Sequence, residues 1–254
     1  MKDVIIIANG PFVTHELLEE AIVDKTIVAL DGAANRLIAT VIKPDIILGD
    51  FDSIQDEGRE HWGIQACIHH LQDDSPAYKG KHGTTIVPMK NQQLTDLVKA
   101  IHYCDTQQTS SITIVCALGG LLDHHEDALR VLRSEHRAER PLVILSDLQT
   151  VRYVKDESIT FTGNAGDFCA VLAFPHGRFS SSGLTYDVED YLLDVGFSES
   201  IRNSLRGTEA TISVSGEALI MLPPRYPAQR AYAAKTEIER LTWLLKDALK
   251  RGSR

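Results

Sequence analysis

The chain is poor in cysteine, and the four it has, Cys67, Cys104, Cys116 and Cys169, lie in separate segments without a C-x-x-C pair. That excludes a disulfide framework or a thiolate zinc site as the organising feature. Basic residues are also scarce, with 26 Lys and Arg against 35 Asp and Glu and a formal net charge of -9. A general binder of nucleic-acid backbone needs a basic face, so that class is excluded. No apolar stretch approaches the roughly 18 residues of a membrane span, and the run from Val4 to Ala8 is much shorter than a signal-peptide core. A cytoplasmic protein without a membrane partner is expected. Also missing are G-x-x-x-x-G-K-[ST], G-x-G-x-x-G and H-E-x-x-H, which disfavours a P-loop kinase, a dinucleotide enzyme and a zinc hydrolase.

What the chain does have is apolar material for a core, 43% of 254 residues. Continuous apolar runs occur at Val4 to Ala8, Thr26 to Leu30, Ile46 to Leu48, Ile112 to Cys116 and Leu142 to Leu145. Runs without alternation suit strands covered on both faces, as in a parallel sheet. Between them, Thr14 to Val23, Thr95 to Tyr103 and Asp123 to Glu135 carry apolar residues at helical spacing, most completely in Leu94, Leu97, Val98 and Ile101. The expected fold is α/β, with an N-terminal doubly wound, mostly parallel sheet over residues 1–150 and a ligand at the carboxyl ends of its strands. From 151 to 224 short β-rich segments such as Ser158 to Phe161, Leu184 to Val188, Ala210 to Val214 and Leu219 to Leu222 alternate with turn signals, including His176-Gly177 and Ser215-Gly216. That cadence predicts a C-terminal antiparallel β-sandwich domain. Residues 225–254 hold eight Lys or Arg against three Asp or Glu, and Ile238, Leu241, Leu245 and Leu249 fall on one helical face. A basic C-terminal helix is expected there.

The strongest chemical signal is Leu48-Gly49-Asp50-Phe51-Asp52-Ser53, directly after an apolar strand. Two carboxylates at i and i+2 suit a hard cation such as Mg²⁺, although an Asp-rich turn capped by Ser53 explains the same residues. Asp31-Gly32 follows the preceding strand and belongs at the same edge. Several acids on neighbouring strand ends repel one another unless a cation lies among them. Thr95-Asp96 reads first as a helix cap, and as a ligand pair only beside the other acids. Gly119-Gly120-Leu121-Leu122-Asp123-His124 lies between a strand and a helix, where free N–H groups hold phosphate in some proteins and simply make a tight turn in others.

Taken together, Asp31-Gly32-Ala33-Ala34-Asn35, Gly49-Asp50-Phe51-Asp52-Ser53, Asn91-Gln92-Gln93-Leu94-Thr95-Asp96 and Gly119 to His124 resemble the ordered motifs of the thiamin pyrophosphokinase family. Ser182-Gly183-Leu184-Thr185-Tyr186, Ile201-Arg202-Asn203 and Ala210 to Val214 continue the resemblance into the second half. It implies transfer of pyrophosphate from ATP to thiamin with Mg²⁺, by a homodimer whose α/β domain binds Mg-ATP and whose β domain helps to bind thiamin. A different hydroxymethyl heterocycle such as a pterin, or a non-catalytic thiamin-binding homologue, are the alternatives.

Carried over by position, the resemblance implies Asp31, Asp50, Asp52 and Asp96 as catalytic residues, with Asp50, Asp52 and Asp96 on the metal. Asn9, Gly10, Asp31, Gly49, Asp50, Ser53, Thr95, Gly119, Gly120, Asp123 and His124 fall on the nucleotide side, and Gln92, Gln93, Arg202 and Asn203 on the acceptor side. The chain departs from the family pattern at three of its motif positions. Gln93 stands in place of an acid, Leu121 in place of an arginine after the Gly-Gly pair, and Arg202 in place of a serine. Lys43 and Lys90 lie next to the acidic motifs, either as phosphate counter-charges or as ordinary solvated lysines.

Overall fold

The structure is a computed structural model that describes residues 2–64 and 76–223. The helix expected over 225–254 lies outside the described residues. The described residues divide into two compact units: the first holds those up to Val13, within Leu18–Leu145 and in Val151–Val154, and the second holds Thr14–Leu17, Ser146–Thr150 and those from Lys155 to Pro223.

In the first unit the five apolar runs become β1 (Asp3–Ile7), β2 (Thr26–Leu30), β3 (Ile46–Gly49), β6 (Ser111–Val115) and β7 (Leu142–Leu145). The sheet adds β4 (Tyr78–Lys79), β5 (Thr85–Pro88) and β8 (Thr150–Lys155), in the order β8-β7-β6-β1-β2-β3-β5-β4. The pairs from β7 through β6, β1, β2 and β3 to β5 are all parallel, and β4 runs against its neighbour β5. Ile5, Ile6 and Ile7 are all fully buried. A strand with both faces covered cannot alternate, and each such side chain contributes about 1.5–3 kcal/mol relative to exposure.

The helices are α1 (His15–Ala21), α2 (Ala33–Leu37), α3 (Asp56–Trp62), α4 (Asp96–Thr106) and α5 (Leu122–Ser134). In α4 the buried stripe is Leu97, Ala100, Ile101 and Cys104, at the i, i+3, i+4, i+7 spacing of a helix that covers a sheet. Thr95 ends the preceding loop as N-cap, its Oγ1 accepting the Val98 N–H at 3.5 Å. The chain builds outward from β1 to β2, β3 and β5, then returns to the other side of β1 for β6 and β7. The crevice between β1 and β6 is therefore the switch point at which such sheets receive ligands.

The second unit is antiparallel, with β9 (Ser158–Thr162), β10 (Phe168–Ser182), β11 (Tyr191–Asp194), β12 (Ser200–Ser204) and β13 (Glu209–Leu222). The long strands β10 and β13 pair along their length, with a register shift between Ala173 and Gly177. On one side of the shift β12 adds to β10; on the other, β11 adds to β10 and β9 to β13. Two sequence expectations change here. His176-Gly177 and Ser215-Gly216 are not turns between strands but lie inside β10 and β13. Gly177 and Gly216 face each other, and a Cβ on Gly216, whose φ is +90°, would come within 2.9 Å of the Gly177 Cα. The glycine pair thus bends two continuous strands where the sequence suggests three short ones. Leu184 to Val188 is a turn instead of a strand, because the Asp187 carboxylate accepts the N–H groups of Leu184 at 2.9 Å and Gly183 at 3.3 Å.

Candidate functional site

Parallel register brings the acids together. Leu30 pairs with Leu48, so Asp31 and Gly49 leave adjacent strands side by side, and the Asp31 N–H extends the ladder to the Leu48 carbonyl at 3.1 Å. Gly49 pairs in turn with Pro88, and the connection from β5 delivers Asp96 at the start of α4. A Cβ on Gly49 would lie 2.8 Å from the Asp31 Cβ and 3.4 Å from Asp96 Oδ2. Glycine at this position is what lets the three chains approach.

Carboxylate oxygens of Asp31, Asp50 and Asp96 lie within 4.8 Å of one another. Asp31 is only 2% exposed; its Oδ2 accepts the Ser53 N–H at 3.1 Å, while its Oδ1 is buried with no hydrogen-bond partner. Burial pushes its carboxyl up to about 7, against the Ser53 N–H and with help from the charges of Asp96, Asp50 and Asp52. Asp96 is also raised by burial, opposed by Lys99, whose ammonium lies 3.0 Å from Asp96 Oδ1. Asp50 goes the other way. Although burial raises it, the Gln92 amide and the Asp52 N–H hold it below the ordinary range on balance. Gln92 Nε2 donates to Asp50 Oδ2 at 2.8 Å.

Asp52 stands outside the three-acid group but lines the same cavity, its Oδ1 accepting from Ser53 Oγ at 2.8 Å. The loop that carries Asp50 and Asp52 is anchored from behind. Phe51 is fully buried with φ +64°, its carbonyl accepts from Arg59, and Asn35 Nδ2 donates to the Ser53 carbonyl at 2.9 Å.

The cavity has a volume of about 640 Å³ and extends from these acids to the β1/β6 switch point. There its wall is Asn9, Gly10 and Pro11 after β1, and Gly119 and Gly120 after β6. The two strand ends meet closely: the Gly10 N–H donates to the Cys116 carbonyl at 2.8 Å, and a Cβ on Gly10 would lie 2.5 Å from that oxygen. Gly119 and Gly120 take φ of +86° and +73°, open to glycine at no steric cost. Ser53, Gln92, Thr95 and His124 also line the cavity.

Several residues singled out from the sequence lie elsewhere. Asp123 is not part of the wall; its Oδ1 accepts the His124 N–H at 2.9 Å at the start of α5. Gln93 is exposed outside the cavity, its N–H donating to Asn91 Oδ1. Neither Lys43 nor Lys90 lines it, and Lys43 Nζ sits 3.4 Å from the position of a Gly83 Cβ. The cations in the wall are Lys99 and Arg36, neither of which stood out in the sequence. Lys99 had a readable signal, its i+3 spacing from Asp96 on a helix. His125 accepts the Gly119 N–H on Nδ1 at 3.0 Å, so it is this histidine that braces the glycine turn.

Arg202 and Asn203 belong to the second unit. Arg202 places its guanidinium 4.9 Å from the centroid of the Phe168 ring. Asn203 is 4% exposed, and its amide is spent internally: Oδ1 accepts from the Tyr186 and Ser204 N–H groups, and Nδ2 donates to the Tyr186 carbonyl at 2.8 Å. It flanks a smaller cavity of about 220 Å³ with Phe179, Tyr186, Tyr191 and Glu199 in its wall.

A sequence model described as the catalytic domain of thiamin pyrophosphokinase matches residues 16–144. Thiamin pyrophosphokinase 1 of Caenorhabditis elegans is 25% identical over 209 residues, covering 77% of either chain. Thiamine pyrophosphokinase 2 of Arabidopsis thaliana is 26% identical over 246 residues, 85% of this chain and 83% of the plant one. Among solved structures, thiamine pyrophosphokinase from Bacillus subtilis superposes with a TM-score of 0.71 at 18% identity, over 89% of this chain and all of its own. That likeness carries the fold, with parallel strands in the first half of the chain and antiparallel strands in the second.

Proposed function

The chain belongs to the thiamin pyrophosphokinase family, and from that premise we propose that it transfers the terminal pyrophosphate of ATP to thiamin, yielding thiamin diphosphate and AMP. The observation that carries the reading is Asp31 Oδ1, buried without a hydrogen-bond partner and grouped with oxygens of Asp50 and Asp96. Such an arrangement is unfavourable unless a proton or a cation lies among the carboxylates. An all-oxygen donor set fits a hard divalent ion, and the reading takes this as Mg²⁺. When bound, the ion supplies charge neutralisation at the phosphates.

The reaction forms a bond from the thiamin hydroxyl oxygen to the β-phosphorus and breaks the bond from that phosphorus to the oxygen bridging to the α-phosphate. That oxygen leaves with AMP, and the alcohol proton is released. Positioning and electrostatics supply most of the acceleration in such transfers. Asp50, Asp96 and Asp31 would hold the ion, and Asp52, aimed by Ser53, presents a further carboxylate to the same cavity. Gln92 keeps Asp50 ionised and fixed in place. Lys99 holds Asp96 and offsets one of the negative charges. The glycine turn, whose Gly119 N–H is held by His125, offers its remaining backbone N–H groups to phosphate.

For the acceptor, the cavity of the second unit supports a cationic aromatic heterocycle. The rings of Phe179, Tyr186 and Tyr191 flank it, with the Glu199 carboxylate nearby. Exposed apolar side chains on the same unit, Leu192, Val195, Phe197 and Ile201, support a homodimer. We place the reaction in the cytoplasm, where ATP and Mg²⁺ are abundant. Measuring AMP release from ATP and Mg²⁺ with and without thiamin tests the function. Thiamin-dependent AMP with equimolar thiamin diphosphate is expected, and AMP formation indifferent to thiamin would overturn it.

A further inference from the structure

The cavity of the first unit is strongly acidic, with Asp31, Asp50, Asp52, Asp96 and Asp127 in its wall, yet its proposed ligand is a polyanion. Of the two cationic side chains there, Lys99 is 3% exposed and committed to Asp96. Arg36 is different. It projects from α2 toward the end of β1, where Nη1 donates to the Gly10 carbonyl at 2.7 Å and the guanidinium carbon lies 4.1 Å from the centroid of the Phe12 ring. Among the described residues no carboxylate pairs with it. One donor and one face are thus used to fix the guanidinium plane, and the charge itself is uncompensated. A guanidinium held by stacking and a single backbone bond keeps further donors in a rigid fork suited to phosphate oxygens.

Position in the sheet says which phosphate. Asp31, Asp50 and Asp52 follow β2 and β3, with Asp96 beside them at the start of α4, while the Arg36 guanidinium lies at the end of β1, beside the switch-point crevice that takes the nucleoside in sheets of this kind. A nucleotide with its β- and γ-phosphates at the acids and its nucleoside in the crevice passes its α-phosphate by Arg36. We propose that Arg36 binds the α-phosphate of the nucleotide, and so receives the oxygen that departs with AMP when the α–β bridge breaks. This rests on the pyrophosphate-transfer reading above, and assigns to Arg36 the affinity for the AMP half as distinct from the pyrophosphate half.

The test is calorimetric titration of the full chain, in Mg²⁺, with AMP and separately with inorganic pyrophosphate, in wild type, Arg36→Gln and Arg36→Lys. Loss of a charge-assisted contact to phosphate is expected to weaken AMP about tenfold to a hundredfold in Arg36→Gln. Pyrophosphate binding is expected to stay unchanged. Arg36→Lys keeps the charge and loses the fork, so an intermediate loss of AMP affinity is expected, and this variant decides the matter if Arg36→Gln does not fold. Unchanged AMP affinity in a folded variant, or an equal loss for pyrophosphate, would overturn the assignment. Thiamin-dependent AMP release by the wild type tests the underlying reaction separately: with that activity present, a negative titration removes only the role of Arg36, and without it both readings fall.

Discussion

Replacing Asp31 with Asn is expected to make the metal-free protein more stable at alkaline pH while abolishing its response to Mg²⁺. In the fold the Asp31 carboxyl titrates at about 7, against an ordinary 3.8. Between those values the folded chain holds a proton that the unfolded chain has released, so stability falls as pH rises through this window, and the full penalty applies above it. The difference corresponds to about 4 kcal/mol, and relaxation of the neighbouring acids reduces it to roughly 2–4 kcal/mol. Asp96, also raised, acts in the same direction, whereas the lowered Asp50 acts only below the ordinary carboxylate range. Asn keeps an oxygen for the Ser53 N–H and offers an N–H₂ toward the other two carboxylates. Urea denaturation in chelator at about pH 4 and about pH 8 reads the effect, with little difference between variant and wild type at the first and a gain of about 2–4 kcal/mol for the variant at the second. With Mg²⁺ at about a hundred times its dissociation constant, the wild type gains roughly 2.7 kcal/mol and the variant loses that gain. A variant destabilised equally at both pH values would refute the idea that a buried charge is the cost at this position.

Other outcomes follow from the same geometry. Asp50→Asn and Asp96→Asn each remove a donor from the cluster, and turnover measured as AMP release is expected to fall by at least about a hundredfold with the fold retained by circular dichroism. Gly49→Ala inserts a Cβ 2.8 Å from that of Asp31, and equilibrium denaturation is expected to show a loss of about 1–3 kcal/mol. Asn203→Ala leaves the Tyr186 and Ser204 amides of the second unit without their acceptor, costing about 1–3 kcal/mol in denaturant melts while calorimetric AMP binding by the first unit stays intact.

The central strands of the first unit were legible because full burial on both faces leaves continuous apolar runs, as in Ile5-Ile6-Ile7. Shorter elements were not. Thr85–Pro88 and Tyr78–Lys79 give four and two residues with no periodicity to detect. Gly177 and Gly216 look like turns in a sequence, and only their pairing across two strands turns them into a bend. At the site, Asp31 and Asp50 were readable because strand ends in parallel register bring successive loops together. Asp96 read locally as a cap and as a ligand only through the family resemblance, and it is the β5 connection that sets it beside the other two. Arg36 and His125 gave no local signal, since their partners, Gly10 and Phe12 in one case and Gly119 in the other, are joined to them by the fold or by a turn of unknown shape. Asn203 was singled out only through the family resemblance, and in the fold its amide fastens the Tyr186 turn at the wall of the second unit's cavity.

The central claim is that Asp31, Asp50 and Asp96 share one divalent ion beside the nucleotide. Diffraction from crystals soaked with Mn²⁺ and a non-hydrolysable ATP analogue, collected at the manganese absorption edge, tests it most directly. An anomalous peak bonded to oxygens of these carboxylates and to the phosphate chain is the predicted result. A peak elsewhere, or phosphates bound with no ion among the three acids, would contradict it.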